Sequence, residues 1–291
     1  MTFEEAKAYA AAHVGIRPNY PGRLSGKIAI VTGGAQGFGF GIAQELISEG
    51  AQVVIANRGE KAGLAAVEKL GDHSAFAQCD VSVPESCRNL MIKAVEIFGG
   101  IDIFISNAGV LKAGALPNMT PEDFQAVTNI DYNGYFFCTK YVSEIMKAEY
   151  EADKSRFYDI IQINSKSGLV GSKANFAYAG AKFGGIGLTQ SFALELVDWN
   201  IKVNSVCPAV ERSGKGTFCA VSCRRQGSGR KNGGGCQGVL SCKIPDSSRL
   251  HPEGRLQGNI LLRRAGVRDR AGHSRDGRTD NAELICGILS E

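Results

Sequence analysis

From Lys27 onward, short unbroken apolar runs alternate with longer stretches of mixed polarity. IAIVTG, AQVVIA, IDIFISNAG and DIIQINS are apolar at nearly every position and rich in Ile and Val. Runs of that length and composition read as strands buried on both faces. SAFAQCDV and IKVNSVCP are expected to be further strands. Between them lie stretches with helical spacing of apolar residues. They are GIAQELISEG closing on Gly50, a second ending near Leu70, PESCRNLMIKAVEIFG, Pro121 to about Tyr150, and Ala179–Trp199. Strict strand–helix alternation predicts an α/β fold, a doubly wound parallel sheet with helices on both faces. The pattern divides the chain into an N-terminal extension (1–24), one domain (25–208) and a tail (209–291) of different character.

The chain has 291 residues, 44% of them apolar, enough for one large domain with a substantial core. The extension reads as an amphipathic leader followed by the linker NYPGRLSG. Its acidic start is unlike a secretory signal. No run approaches the ~20 apolar residues a membrane span needs. A cytoplasmic protein without a membrane partner is therefore expected. Cys79, Cys87 and Cys138 stand apart from one another in sequence and are expected to be reduced core thiols.

The turn after the first strand reads Thr32-Gly33-Gly34-Ala35-Gln36-Gly37-Phe38-Gly39. Glycines there let the backbone turn tightly and approach a pyrophosphate at the next helix N-terminus. Its place between a first strand and a first helix makes a Rossmann dinucleotide site the expected reading. Further along, Tyr178 and Lys182 are four residues apart, so on a helix they share a face. A nearby ammonium favours the phenolate, which suits Tyr178 to proton exchange. Ser165, at the end of the preceding strand, can hold a substrate oxygen. The segment Ser106-Asn107-Ala108-Gly109 completes the set.

Together these residues resemble the short-chain dehydrogenase/reductases from about Leu24 to Pro208. The resemblance implies an NAD(P)-dependent oxidoreductase. Tyr178 would be the general acid/base, Lys182 would bind the ribose and lower the Tyr178 pKa, and Ser165 would orient the carbonyl or alcohol. Thr32, Gly33, Gly37, Phe38, Gly39, Val81, Ala108, Gly109 and Pro208 would line the cofactor. Asp80 would touch the adenine, and Asn107 would support the cofactor side of the sheet. The family also implies a homo-oligomer built on the helices near Tyr132–Tyr150 and Tyr178–Trp199.

Asp131, in Ile130-Asp131-Tyr132-Asn133-Gly134, stands where the family carries a proton-relay Asn. It can accept hydrogen bonds and hold a water as a catalytic residue, or simply cap or kink the helix. At the end of the second strand, Asn57-Arg58 replaces the carboxylate that would hold an NAD ribose 2′-OH. Arg58 is placed to meet a 2′-phosphate, which favours NADP; the alternative is an exposed loop charge. The stretch IIQINSKSGLVGSKANFAYAGAKFGGIGLTQSFAL is similar to sorbitol-6-phosphate and related polyol dehydrogenases. That resemblance implies a polyol or sugar-phosphate substrate. Lys166, Ser167 and Lys173 flank Ser165 and could meet its phosphate or hydroxyls; solvated loop lysines are the alternative.

After Pro208 the character changes. The tail holds twelve Arg against five in the preceding 208 residues, and its one aromatic is Phe218. Net charge moves from −3 over 1–208 to +7 over 209–291. Cys219, Cys223, Cys236 and Cys242 lack the spacing of a zinc site, so no metal is expected. Read one nucleotide later with permitted codons, Arg268–Glu283 gives ETGQAIPVTGGQIML, which resembles the family's closing strand. Two earlier tail segments give an apolar helix and a substrate lid in the same shifted frame. The tail therefore reads as a frameshifted translation. The expectations are a disordered C-terminus, an exposed sheet edge where the seventh strand belongs, and weak or absent activity. A nucleotide-binding regulatory or scaffold protein with an impaired site is the competing function. A nucleic-acid arm is disfavoured, because the basic tail lacks interleaved aromatics and a basic amphipathic helix.

Overall fold

A computed structural model describes residues 1–210 and 216–222, with side chains described through Pro208. The strands are β1 (Ile28–Thr32), β2 (Gln52–Asn57), β3 (Ser74–Gln78), β4 (Ile103–Ser106), β5 (Tyr158–Ile163), β6 (Ile201–Val210) and β7 (Gly216–Ser222). They form one sheet in the order β3-β2-β1-β4-β5-β6-β7. The first six run parallel, so their C-terminal ends share one edge. The order reverses direction between β1 and β4, which is where doubly wound sheets bind ligands.

Helices α2 (Gly37–Ser48), α3 (Glu60–Leu70), α4 (Pro84–Phe98), α5 (Pro121–Thr128), α6 (Gly134–Ala152) and α7 (Phe176–Leu196) connect the strands. Strand side chains alternate between two cores, as a period of two requires. Ile30, Val54, Phe104, Ile160 and Val203 face α4 and α6. Val31, Val53, Ile55, Ile105 and Ile161 face α2 and α3. This two-sided burial explains why the strands read as continuous apolar runs. The extension adds α1 (Phe3–His13), closed by a Thr2–Glu5 capping box, with Phe3, Ala6 and Ala10 buried in the α4–α6 core. Cys79, Cys87 and Cys138 are free and buried, as expected.

Four expectations change. The helix expected over 121–150 is broken by a π-helical turn at Asn129–Asn133, which periodicity averages away. The strand expected to run to Val81 stops at Gln78, because Asp80 turns the chain by accepting from the Ser82 N–H and hydroxyl. Helix α7 begins three residues earlier than expected, at Phe176. The edge of β6 is not open: β7 pairs with it antiparallel, Val210 opposite Gly216 and Asn204 opposite Ser222. That backbone pairing supplies partners along the edge of β6 that would otherwise be open. The expected disorder of the tail concerns 211–215 and 223–291, which lie outside the described residues. Among the described residues, no helix is long and apolar enough to cross a membrane, and no group of side chains could hold a metal ion.

Candidate active site

The C-terminal ends of β1, β4 and β5 carry the glycine turn, the Asn107 segment and Ser165 respectively. Thr32 stitches the first two together. Its hydroxyl donates to the Ile105 carbonyl (3.2 Å) and accepts from the N–H groups of Asn107 (3.0 Å) and Ala108 (3.1 Å). Asn107 answers by donating its side-chain amide to the carbonyls of Thr32 (2.9 Å) and Gly33 (3.2 Å). Gly33 sits at φ +63°, a left-handed conformation that favours glycine. A methyl at Gly39 would overlap both the Gly33 carbonyl and the Asn107 amide. Gly37 and Phe38, by contrast, face open solvent at the start of α2. The result is a rigid turn with an accessible helix N-terminus, the requirement for seating a pyrophosphate.

The remaining residues expected to line a cofactor lie along the same edge. Asn57 ends β2 and donates to the Gly59 carbonyl (3.1 Å), while the Arg58 side chain is exposed beside it. Asp80 holds its turn through Ser82, and Val81 is buried against Gly134 at the start of α6. Pro208 is half-buried in β6, opposite Phe218 of β7.

Lys182 is 4% exposed and points back under the end of β5. Its ammonium lies 3.2 Å from Asp131 Oδ2, donates to the Ile163 carbonyl (3.3 Å), and sits 5.2 Å from the centre of the Tyr178 ring. The π-helical turn is what presents Asp131 to this lysine. Asp131 Oδ1 accepts from the Val110 N–H (2.7 Å), binding the loop after Asn107 to the same carboxylate. Burial pushes the Asp131 carboxyl above its ordinary range, and the lysine and the Val110 N–H only partly oppose this. Asp131 therefore both occupies the helix irregularity and pairs with Lys182. Tyr178 is half-buried, packed with Val127, Tyr132, Ala177 and Ala181.

Ser165 caps a short 3-10 turn, its Oγ accepting from the Ser167 N–H (3.1 Å). With that lone pair engaged, the hydroxyl proton is left for another acceptor. Sequence reasoning missed the residue that sets its position. Asn164, 4% exposed, accepts from the Ser165 N–H (2.7 Å) and donates to the Lys182 carbonyl (2.9 Å) and to Gln162 Oε1 (2.8 Å). Ser205 on β6 donates to the same Gln162 oxygen (3.2 Å). The polar residues in IIQINS, within an otherwise apolar strand, were the available signal. Of the residues expected to meet the substrate, Ser167 is buried and shares a hydrogen bond with Ser172 (3.0 Å). Lys166 and Lys173 are exposed and make no ion pair among the described residues.

The family profile described as short chain dehydrogenase matches residues 27–215. The chain belongs to that family. This short-chain dehydrogenase is 34% identical over 192 residues to a 3-alpha-(or 20-beta)-hydroxysteroid dehydrogenase of Mycobacterium tuberculosis, covering 66% of this chain and 72% of that protein. It is 37% identical to trans-4-hydroxycyclohexanecarboxylate dehydrogenase of Sinomonas cyclohexanicum, covering 64% of this chain and 73% of the relative. It is 36% identical to sorbitol-6-phosphate 2-dehydrogenase of Escherichia coli, over 62% and 70% of the two chains. Among solved structures it resembles 3-ketoacyl-(acyl-carrier-protein) reductase from Brucella melitensis complexed with NADH. That likeness has a TM-score of 0.59 at 27% identity, covering 62% of this chain and 74% of the other. The chain is thus a dehydrogenase-type oxidoreductase of the NAD(P)-dependent class acting on CH–OH groups.

Proposed function

We propose that this dehydrogenase interconverts a secondary alcohol and a ketone on a polyol or sugar phosphate, in the manner of sorbitol 6-phosphate and fructose 6-phosphate. The observation that carries the chemistry is the linkage of Ser165, Tyr178 and Lys182 at one strand end. Ser165 donates its free hydroxyl proton to the substrate oxygen. Tyr178 exchanges a proton with that oxygen, and the Lys182 ammonium lies 5.2 Å from the centre of its ring. A bound nicotinamide supplies or takes up the hydride. Thr32, Gly33, Gly37, Phe38 and Gly39 would hold its pyrophosphate; Asp80 and Val81, the adenine; Asn107, Ala108, Gly109 and Pro208, the nicotinamide half. Arg58, in place of a carboxylate after β2, supports NADP over NAD.

Lys166, next to Ser165 in the chain, and Lys173, both exposed and without an ion pair among the described residues, support a phosphorylated substrate. The likeness to the Escherichia coli sorbitol-6-phosphate enzyme agrees with that choice, and relatives acting on other alcohols compete with it. Exposed Phe136 on α6 and Phe183 and Leu194 on α7 support a homo-oligomer through those helices. The test is turnover by the frame-restored chain of sorbitol, fructose and their 6-phosphates with NADH and NADPH. Preference for the phosphates, lost in Lys166→Met/Lys173→Met through a raised KM, supports the reading; an unchanged preference ends the substrate assignment. The Asp131–Lys182 pair favours a second reading, a dinucleotide-binding protein without turnover. Cofactor binding with no activity across the panel would select it.

A further inference from the structure

The N-terminal ends of the strands, opposite the candidate active site, enclose a cavity of about 510 Å³. Half of its wall comes from the segment between α1 and β1, before the family match begins. Arg17, Lys27, Arg156 and Lys202 line it, against a single lining carboxylate, Asp159. Beneath them, Asp102 is fully buried and faces three cations at once. Arg17 contacts it directly, Arg156 donates at 2.7 Å and Lys27 at 3.2 Å, and the Ile28 N–H adds a fourth donor at 2.9 Å. Asp159 pairs with Lys202 at 3.2 Å, and Glu149 meets Arg17 from the protein side at 2.9 Å.

The four lining cations face Asp102, Asp159 and Glu149, and the Asp153 carboxylate lies near Arg156 on the solvent side. Burial pushes Glu149 up to about 8, outweighing its Arg17 contact, so at neutral pH its protonated form is favoured. Arg17, in contrast, stays protonated beside Asp102 and Glu149. The lining itself carries four cations against one carboxylate, and positive charge gathered in a partly enclosed, low-dielectric site is stabilised by a counter-anion.

We propose that this cavity is an anion site for a phosphate dianion, free or carried as a small phosphomonoester. Arg156, Lys27 and Lys202, each partly accessible, supply the contacts, and Arg17 supplies charge from the wall. The volume falls in the range of small-molecule sites, and the exposed Phe157 ring at the lip offers apolar surface to the body of a monoester.

The test is calorimetric titration and thermal unfolding of the full 291-residue chain with inorganic phosphate and with phenyl phosphate, in chloride of matched ionic strength. Saturable binding is expected, with Tm rising by about 5 °C at about 100 times Kd. Tighter binding of phenyl phosphate identifies a monoester site; equal binding identifies a free-phosphate site. Lys202→Met removes one contact. Ser25→Glu places a carboxylate at the mouth without removing any structural cation. Each should weaken phosphate binding by about tenfold. No saturable binding, or binding unchanged in Ser25→Glu, overturns the proposal. Unchanged binding would place the phosphate elsewhere, for example in the glycine turn of the opposite edge. Neither result bears on the dehydrogenase reading.

Discussion

Asp131 Oδ2 and Lys182 Nζ lie 3.2 Å apart, with side chains 0% and 5% exposed. A buried pair of this kind is strongly coupled, because removing one partner leaves the other charged and unmatched. Asp131→Ala should destabilise the chain by about 3–5 kcal/mol in urea unfolding. Lys182→Met added to Asp131→Ala should recover part of that loss. Strict additivity of the two substitutions would show that the pair carries no coupling.

Asn164 joins the Ser165 N–H to the Lys182 carbonyl through one side chain. Asn164→Asp keeps the first bond and loses the donor for the second. A stability loss of about 1–3 kcal/mol is expected, the range for an unsatisfied buried partner. In the frame-restored enzyme kcat should fall more than the cofactor KM rises, because Ser165 and Lys182 lose their register with each other. A pure stability effect with unchanged kcat would assign Asn164 to the core alone.

Gly39 and Gly37 separate two kinds of glycine requirement. Gly39→Ala would push the Asn107 amide off the Gly33 carbonyl and should abolish NADH and NADPH binding in fluorescence titration. Gly37→Ala meets nothing within 4 Å but sits at φ +58°, so it should cost about 1–2 kcal/mol of stability. Equal cofactor affinity in Gly39→Ala and the parent would remove the glycine turn from the binding site.

Glu149 is held up to about 8, against 4.5 ordinarily. Between those values the native chain keeps a proton that the unfolded chain releases. Its contribution to stability therefore falls as pH rises through that window. Glu149→Gln can keep the acceptor for the Ile101 N–H and removes the titration. Its Tm should decline less than the parent's between about pH 5 and 8. Parallel Tm profiles would show that Glu149 does not titrate there.

The alternation of apolar runs and helical stretches determined the parallel sheet by itself, because strands buried on both faces must be apolar at successive positions. The glycine turn, Ser165 and the Tyr178–Lys182 spacing were likewise local, since each role depends on residues within one turn or one helix face. What the sequence could not decide lies in contacts between distant segments. It left Asp131 open between a helix irregularity and a polar role; both hold, because the π-helical turn presents Asp131 to Lys182, fifty-one residues away. Its polar residues in IIQINS marked Asn164 as unusual in a buried strand, but gave no sign that it would bridge β5 to α7, or that Thr32 would hold Asn107. It also placed an open edge at β6, where an antiparallel β7 now pairs. Periodicity reports which face of an element is buried. Which polar atoms meet inside that burial is set only when strands and helices pack, because desolvation makes each such atom find a partner wherever the fold supplies one.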